Sequence, residues 1–300
     1  MGVEGRDRFV RRGAYMNVYA VITDRILEAL AKGVVPWRKP WRTETPRNLV
    51  SGREYRGVNV LLLQSQPFES PHWLTFMQAH TLGGIVKRGQ RGTPIVFWKV
   101  TEKEDSNGKV SKNFLLRYFT VFNVAQCEGI EAPPAVERPT FNPIDACERV
   151  VSSYKDPPSI LVMGQQAAYM PALDRIWVPK PEQFTSPEEY YSTLFHELAH
   201  STGAAHRLAR KGVVDAGRFA SHTYSFEELV AECCSAFLAA HAGIAPATLE
   251  NSMAYIASWA SKLRSEPRWI VEAAAHAMRA ADLILGRLPQ KNAEPVDEAA

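Results

Sequence analysis

The chain has 300 residues, a length that suggests about two domains, each able to bury its own core. Its 46% hydrophobic and 22% charged residues are those of an ordinary soluble globular protein, and no apolar run approaches the ~18 residues needed to cross a bilayer. The net charge of +3 conceals an asymmetry: residues 1–130 hold 20 Lys+Arg against 11 Asp+Glu (+9), and residues 131–300 hold 15 against 21 (−6), so a polyanion partner is expected for the front half only.

Residues 1–16, with Arg6, Arg8, Arg11 and Arg12, show no pattern and are expected as a flexible arm. They lack the apolar core of a secretory signal, so a cytoplasmic protein is expected, with no membrane partner. Residues 17–128 form the expected front domain. It opens with a helix over 18–31, where Val21, Ile22, Ile26, Leu27 and Leu30 recur at helical spacing and Gly33 follows as a stop. Pro36 to Arg42 then alternates aromatics and cations. Ile95–Trp98 and Leu115–Phe119 read as strands of a hairpin around Asn107-Gly108.

Residues 129–143 hold four prolines and little periodicity, which marks the expected linker. Residues 144–288 form the expected rear domain, and 289–300 a polar tail. Its elements are a helix near 144–154, short strands at 160–163 and 175–178, then helices near 187–202, 225–232, 252–264 and 267–285. The four cysteines lack metal or disulfide spacing. Cys127, Cys147, Cys233 and Cys234 are expected as reduced, structural thiols.

The rear domain carries the sharpest signal. Residues 196–200 read His-Glu-Leu-Ala-His, which places two imidazoles one helical turn apart on one face, where they can share a Zn2+-like ion. Glu197 stands beside them, where a carboxylate can take a proton from a water on the metal. Ser186-Pro187-Glu188-Glu189 supplies the helix start and Gly203 the expected terminator. A third ligand is required, and two residues compete. His206 completes the metzincin spacing His196-Glu197-x-x-His200-x-x-Gly203-x-x-His206. Glu228 offers a carboxylate from a second helix, with Glu232 four residues on to orient a histidine. Each has a plain alternative: Glu228, three residues after Ser225, is also placed to close a capping box, and His206 lies in a polar stretch. Met253, which superficially resembles a methionine turn, falls in a helix-like run.

The front half interleaves flat side chains with cations: Trp37, Arg38, Trp41, Arg42, Arg47, Arg53, Tyr55 and Arg56, then Lys87, Arg88, Trp98 and Lys99. Single-stranded nucleic acid is held by such a surface, with bases stacked on rings and phosphates tracked by cations. The competing view makes the tryptophans core and the charges a solvated face.

Both halves resemble ArdC-type antirestriction proteins. The front motifs are Asn17-Val18-Tyr19, Pro46-Arg47-Asn48-x-x-Ser51-Gly52-Arg53-x-Tyr55-Arg56-Gly57-x-Asn59, Trp73-Leu74-Thr75-Phe76-x-Gln78-Ala79 and Val121-Phe122-Asn123-Val124-x-Gln126-Cys127. The rear motifs are Asp174-Arg175-Ile176 through Gln183-Phe184, Tyr190-Tyr191, His196–His200 and Tyr255-Ile256-Ala257-Ser258-Trp259. The resemblance covers roughly residues 17–286. It implies an α+β protein in which an N-terminal α/β single-stranded-DNA-binding domain precedes a mostly helical zincin-like metallopeptidase domain with a small sheet. The chain departs from the family at Ala204, where a His is frequent, and at His206, where a small or polar residue is common. The resemblance therefore favours Glu228 over His206.

The expected function is non-specific binding of single-stranded DNA, together with a peptidase site that protects incoming plasmid DNA from host restriction during conjugation. The alternative is a DNA-binding shield whose metal site is structural or vestigial. The expected ligands are His196, His200 and Glu228, with Glu197 as general base and Tyr224 as a candidate oxyanion donor. Zn2+ is the expected cofactor, with another divalent ion such as Mn2+ as the alternative. The partners are single-stranded DNA and an unidentified protein substrate, with host restriction components as candidates. A zinc nucleobase deaminase is disfavoured, because its His-x-Glu and Pro-Cys-x-x-Cys elements are absent.

Overall fold

A computed structural model describes residues 17–37, 45–104, 110–131, 133, 143–215, 222–244 and 253–287, with backbone alone for 98–104, 110–116, 143–144 and 253–256. The expected arm, the tail, most of the linker and the Asn107-Gly108 turn lie outside the described residues.

The front half opens with α1 (Val18–Ala31), capped by the Asn17 side chain, and Ile22, Ile26 and Leu30 form its buried stripe. Then come β1 (Arg47–Asn48), α2 (Val58–Gln64), β2 (His72–Thr75), α3 (Phe76–Thr81), β3 (Ile85–Val86), β4 (Thr93–Glu104), β5 (Val110–Asn123) and β6 (Cys127–Glu128). One sheet has the order β1-β2-β5-β4, and β3 pairs separately with β6. The β4–β5 hairpin is longer than the sequence suggests, pairing from Thr93↔Val121 to Glu104↔Val110. Helix α2 is buried along nearly its whole length, and it closes the free side of β4. The Asn59 amide donates to Val96 O and accepts from Val96 N, both at 2.8 Å, so this edge backbone is satisfied by a side chain.

The rear half comprises α4 (Pro143–Ser152), β7 (Ser159–Val162), β8 (Ala168–Met170), β9 (Arg175–Val178), α5 (Pro187–Ser201), α6 (Lys211–Val214), α7 (His222–Ala242), α8 (Met253–Ser265) and α9 (Trp269–Ile284). Its sheet runs β7-β9-β8, with β7 parallel and β8 antiparallel to β9. Helix α7 lies between α5 and α9, with Leu229, Val230, Ala231, Cys233, Cys234, Leu238 and Ala239 fully buried. The four cysteines are free and buried, so they serve as packing groups. Met253 begins α8 and forms no turn. No helix among the described residues is long and apolar enough to cross a membrane.

The two halves share one core. The stripe of α1 packs on α8 and α9, and the indole of Trp37 meets Trp259 edge-on with ring centroids 5.9 Å apart. The Thr23 hydroxyl donates to Pro267 O at 2.6 Å, and the Arg268 guanidinium lies 5.1 Å from the Tyr19 ring centre.

Candidate metal centre

Helix α5 begins where its sequence signals a start. Ser186 accepts from Glu189 N, and Pro187 occupies the first turn, where its missing N–H costs nothing. Leu194, Phe195, Leu198 and Ala199 fix the inner face, which leaves His196 and His200 on one side facing α7. Gly203 follows the helix, but its φ is not positive. It is glycine because a Cβ there would fall 2.5 Å from Val213 Cγ2. Close packing, and not the helix stop expected from sequence, is what demands glycine here.

The two imidazole Nε2 atoms stand 3.1 Å apart. The Glu228 carboxylate straddles them, with Oε2 at 3.5 Å from His196 Nε2 and Oε1 at 3.5 Å from His200 Nε2. Tetrahedral ligands ~2.1 Å from one ion are separated by about 3.4 Å, so this triad fits a divalent cation. Among the described residues it is the group of His, Cys, Asp and Glu drawn together in this way. Burial disfavours charge on His200 and on Glu228, yet hydrogen bonds outweigh it: those to Glu227 and Glu228 for His200, and those to His196 and His200 for Glu228. His200 is lifted to about 10, and Glu228 is held well below the usual carboxylate range. Because α7 begins at His222, Ser225 lies inside the helix and Glu228 does not close a capping box.

A second carboxylate stands behind the triad. Glu227 Oε1 is 3.3 Å from His200 Nδ1, and Glu227 also pairs with the buried Arg210. The carboxylate in contact with His200 Nδ1 is therefore that of Glu227, a residue the sequence did not single out. Burial raises the Glu227 carboxyl, but the hydrogen bonds from Arg210 and His200 hold it below its ordinary value. Glu232 is half-buried one turn beyond Glu228.

Glu197 is buried beside the triad, and its Oε2 accepts from the backbone N–H of Tyr169 on the edge strand β8 at 2.7 Å. Tyr224, on the first turn of α7, hydrogen-bonds Glu228. Burial, the Glu228 charge, that bond and the nearby Glu197 charge together push its hydroxyl up to about 12. His206 does not join the group. It is half exposed and turned toward Asp174 (3.5 Å) and Asp156 (3.8 Å), so the metzincin arrangement is not formed. Arg207, next to it, binds Asp174 with both nitrogens at 2.7 Å, which anchors that loop away from the histidines.

In the front half, several expected DNA contacts are already committed. Trp37 is 1% exposed and Tyr55 7%, so neither ring has a face free for a base. Both belong to the core, which corrects their expected role as stacking platforms. Arg56 pairs with Asp282 of α9, Arg47 stands 3.5 Å from Glu54, and Lys87 donates to Ala125 O at 3.1 Å. Arg53 and Arg88 are exposed. Arg38, Trp41 and Arg42 lie outside the described residues, and Trp98 and Lys99 are placed on β4 by backbone alone. The sequence reading missed the rings that are exposed: Phe97, Tyr118 and Phe119, with Phe76 on α3. Phe97 and Phe119 contact each other edge-on at 5.6 Å, and Arg117 is the register partner of Phe97, on the same face of the hairpin. Phe97, Tyr118 and Phe119 lie in stretches that read as strands, where an apolar run does not reveal which rings stay exposed.

Comparison with known proteins matches two segments of the chain. Residues 16–122 match the N-terminal domain of anti-restriction factor ArdC, and residues 148–276 match a zincin-like metallopeptidase domain. The chain is 33% identical to the uncharacterized protein y4eC of Sinorhizobium fredii (strain NBRC 101917 / NGR234), across 89% of this chain and 91% of that one. It is 32% and 33% identical to two Escherichia coli proteins named DNA primase TraC, of which it spans only 20% and 26%. Among solved structures, the metal-free antirestriction ArdC protein of plasmid R388 superposes with a TM-score of 0.71 at 34% identity, covering 90% of this chain and 97% of that one. The Mn(II)-bound structure of the same protein superposes equally well, at 33% identity.

Proposed function

The chain belongs to the ArdC-type antirestriction family, and on that premise we propose that it joins a metal-dependent peptidase site to a surface for single-stranded DNA. The proposed role is protection of incoming plasmid DNA from host restriction during conjugation, with host restriction components as candidate protein substrates.

The observation that carries the peptidase reading is the pairing of a three-ligand group with a separate carboxylate. A structural site has no use for Glu197, which ligates nothing and is anchored by the Tyr169 N–H through one oxygen. A divalent ion held by His196, His200 and Glu228, Zn2+ or the Mn2+ of the solved relative, would polarise a scissile carbonyl and acidify a water. Glu197 then accepts the water's proton and passes it to the leaving amine. The N–H of Tyr169 holds the carboxylate in place through both transfers. The Tyr224 hydroxyl, kept protonated at neutral pH, donates to the oxyanion as it forms.

The DNA reading rests on the +9 balance of residues 1–130 and on the exposed Phe97, Phe119, Arg117 and Arg53. Rings there offer stacking faces and the guanidinium groups follow phosphates.

Glu197→Gln tests the chemistry. With a random-sequence peptide library read by mass spectrometry, the Mn2+- or Zn2+-loaded wild type cleaves, and the variant loses at least ~10²-fold in rate with unchanged metal content. Equal cleavage by the two proteins, or none by the loaded wild type, contradicts the peptidase reading. If the variant still gives full protection from restriction in conjugation, proteolysis is dispensable for that role.

A further inference from the structure

We propose that Arg210 is a positioning residue of the metal centre, holding the Glu227 carboxylate against His200 so that this imidazole faces the other two ligands. The proposal rests on the metal reading above, and Arg210 itself touches none of the three ligand atoms.

A guanidinium buried to 4% exposure is costly unless every donor is used. Here the donors divide between two targets. Nε and Nη2 bind the two Glu227 oxygens at 2.9 and 2.6 Å, a forked pair. Nη1 donates to Thr202 Oγ1 at 2.6 Å and Nη2 also to Ala199 O at 2.8 Å. Ala199 in the last turn of α5 and Thr202, its C-terminal cap, lie on either side of His200 in the chain. One side chain therefore grips both the helix end that carries the imidazole and the carboxylate behind it.

The backbone is built to let these groups approach. A Cβ on Gly203 would fall 3.0 Å from Arg210 Nη2, and a Cβ on Gly212 only 2.6 Å from Glu227 Cβ. Glycine at both positions lets α6 and the loop before it close on α5 and α7. Glu227 reaches His200 on its Nδ1 side, and its oxygens are held by the Arg210 fork, so the contact orients the ring with Nε2 toward the other ligand atoms. Without the fork, Glu227 would be a buried carboxylate with one partner and several rotamers.

The test measures Zn2+ affinity of the full chain by competition with a chromophoric chelator. Arg210→Gln and Glu227→Gln are each expected to weaken binding by about 10–100-fold. The double variant should bind no more than threefold less tightly than the weaker single, since both act through one ring. Arg210→Lys keeps a buried cation but lacks the fork, which guards against a simple loss of fold, and it too should weaken Zn2+. In the Zn2+-loaded protein the His200 Nδ1 proton should exchange with solvent faster in the Arg210 variants, a change that a merely structural role would not produce. Wild-type affinity and slow exchange in a folded Arg210→Lys or Arg210→Gln protein overturn the proposal, as do single losses that simply add. His196→Ala separates the two readings: if it retains Zn2+, the metal site itself is wrong, and if it alone loses Zn2+, only the role of Arg210 is.

Discussion

Glu227 and Glu228 are neighbours in sequence with different partners, because a helix rotates by about 100° per residue. Glu228 faces both imidazoles, while Glu227 reaches His200 from behind and meets Arg210. The pair His196 and His200, with Glu197, was legible in the sequence because four-residue spacing is local geometry. The choice of Glu228 over His206 was not legible in the spacing alone, although the family resemblance favours it, because it depends on Asp174 and Asp156 drawing His206 away. Nor was Glu227, whose role requires an arginine seventeen residues earlier to fold onto α7. Tyr224 was singled out only for its nearness to the Glu228 helix, and its hydroxyl indeed bonds Glu228 with Glu197 close by. Tyr224→Phe removes the donor and little else. Its kcat on a cleaved peptide should fall about 10²-fold with KM nearly unchanged. An unchanged kcat would leave the hydroxyl as a support for Glu228 alone.

Helix α1 shows what periodicity can and cannot reveal. Its apolar spacing gives the span Val18–Ala31, but a stripe does not say which core it enters. It packs on α8 and α9 in the core that the two halves share, and Trp37, beyond its end, joins the same core. The aromatic-cationic alternation around Trp37 looked like a stacking surface because composition is blind to burial. Trp37→Ala should cost about 3–5 kcal/mol of stability, read as a lower melting temperature, while the folded fraction still binds single strands. An unchanged melt with lost DNA affinity would restore Trp37 as a platform. The hairpin shows the same blindness in the other direction: Phe97, Tyr118 and Phe119 lie within the stretches that read as strands, but an apolar run does not say which of its rings face solvent.

For the whole molecule, charge is divided by halves while packing is shared between them. Arg56 to Asp282, Thr23 to Pro267 and Trp37 against Trp259 all join front to rear. A fragment ending near residue 130 would strip α1 of its partners, so DNA binding is best measured on the intact chain. There, Phe97→Ala and Phe119→Ala should each cost ~1–3 kcal/mol of single-strand affinity with little effect on its salt dependence. Arg53→Ala and Arg117→Ala should flatten that salt dependence. Wild-type binding in all four variants would move the DNA surface elsewhere. The metal triad is tested most directly by the metal content of three full-length proteins after Zn2+ loading and dialysis. One ion per chain in the wild type and in His206→Ala, with little or none in Glu228→Ala, is the predicted result. An ion retained by Glu228→Ala and lost from His206→Ala would contradict it.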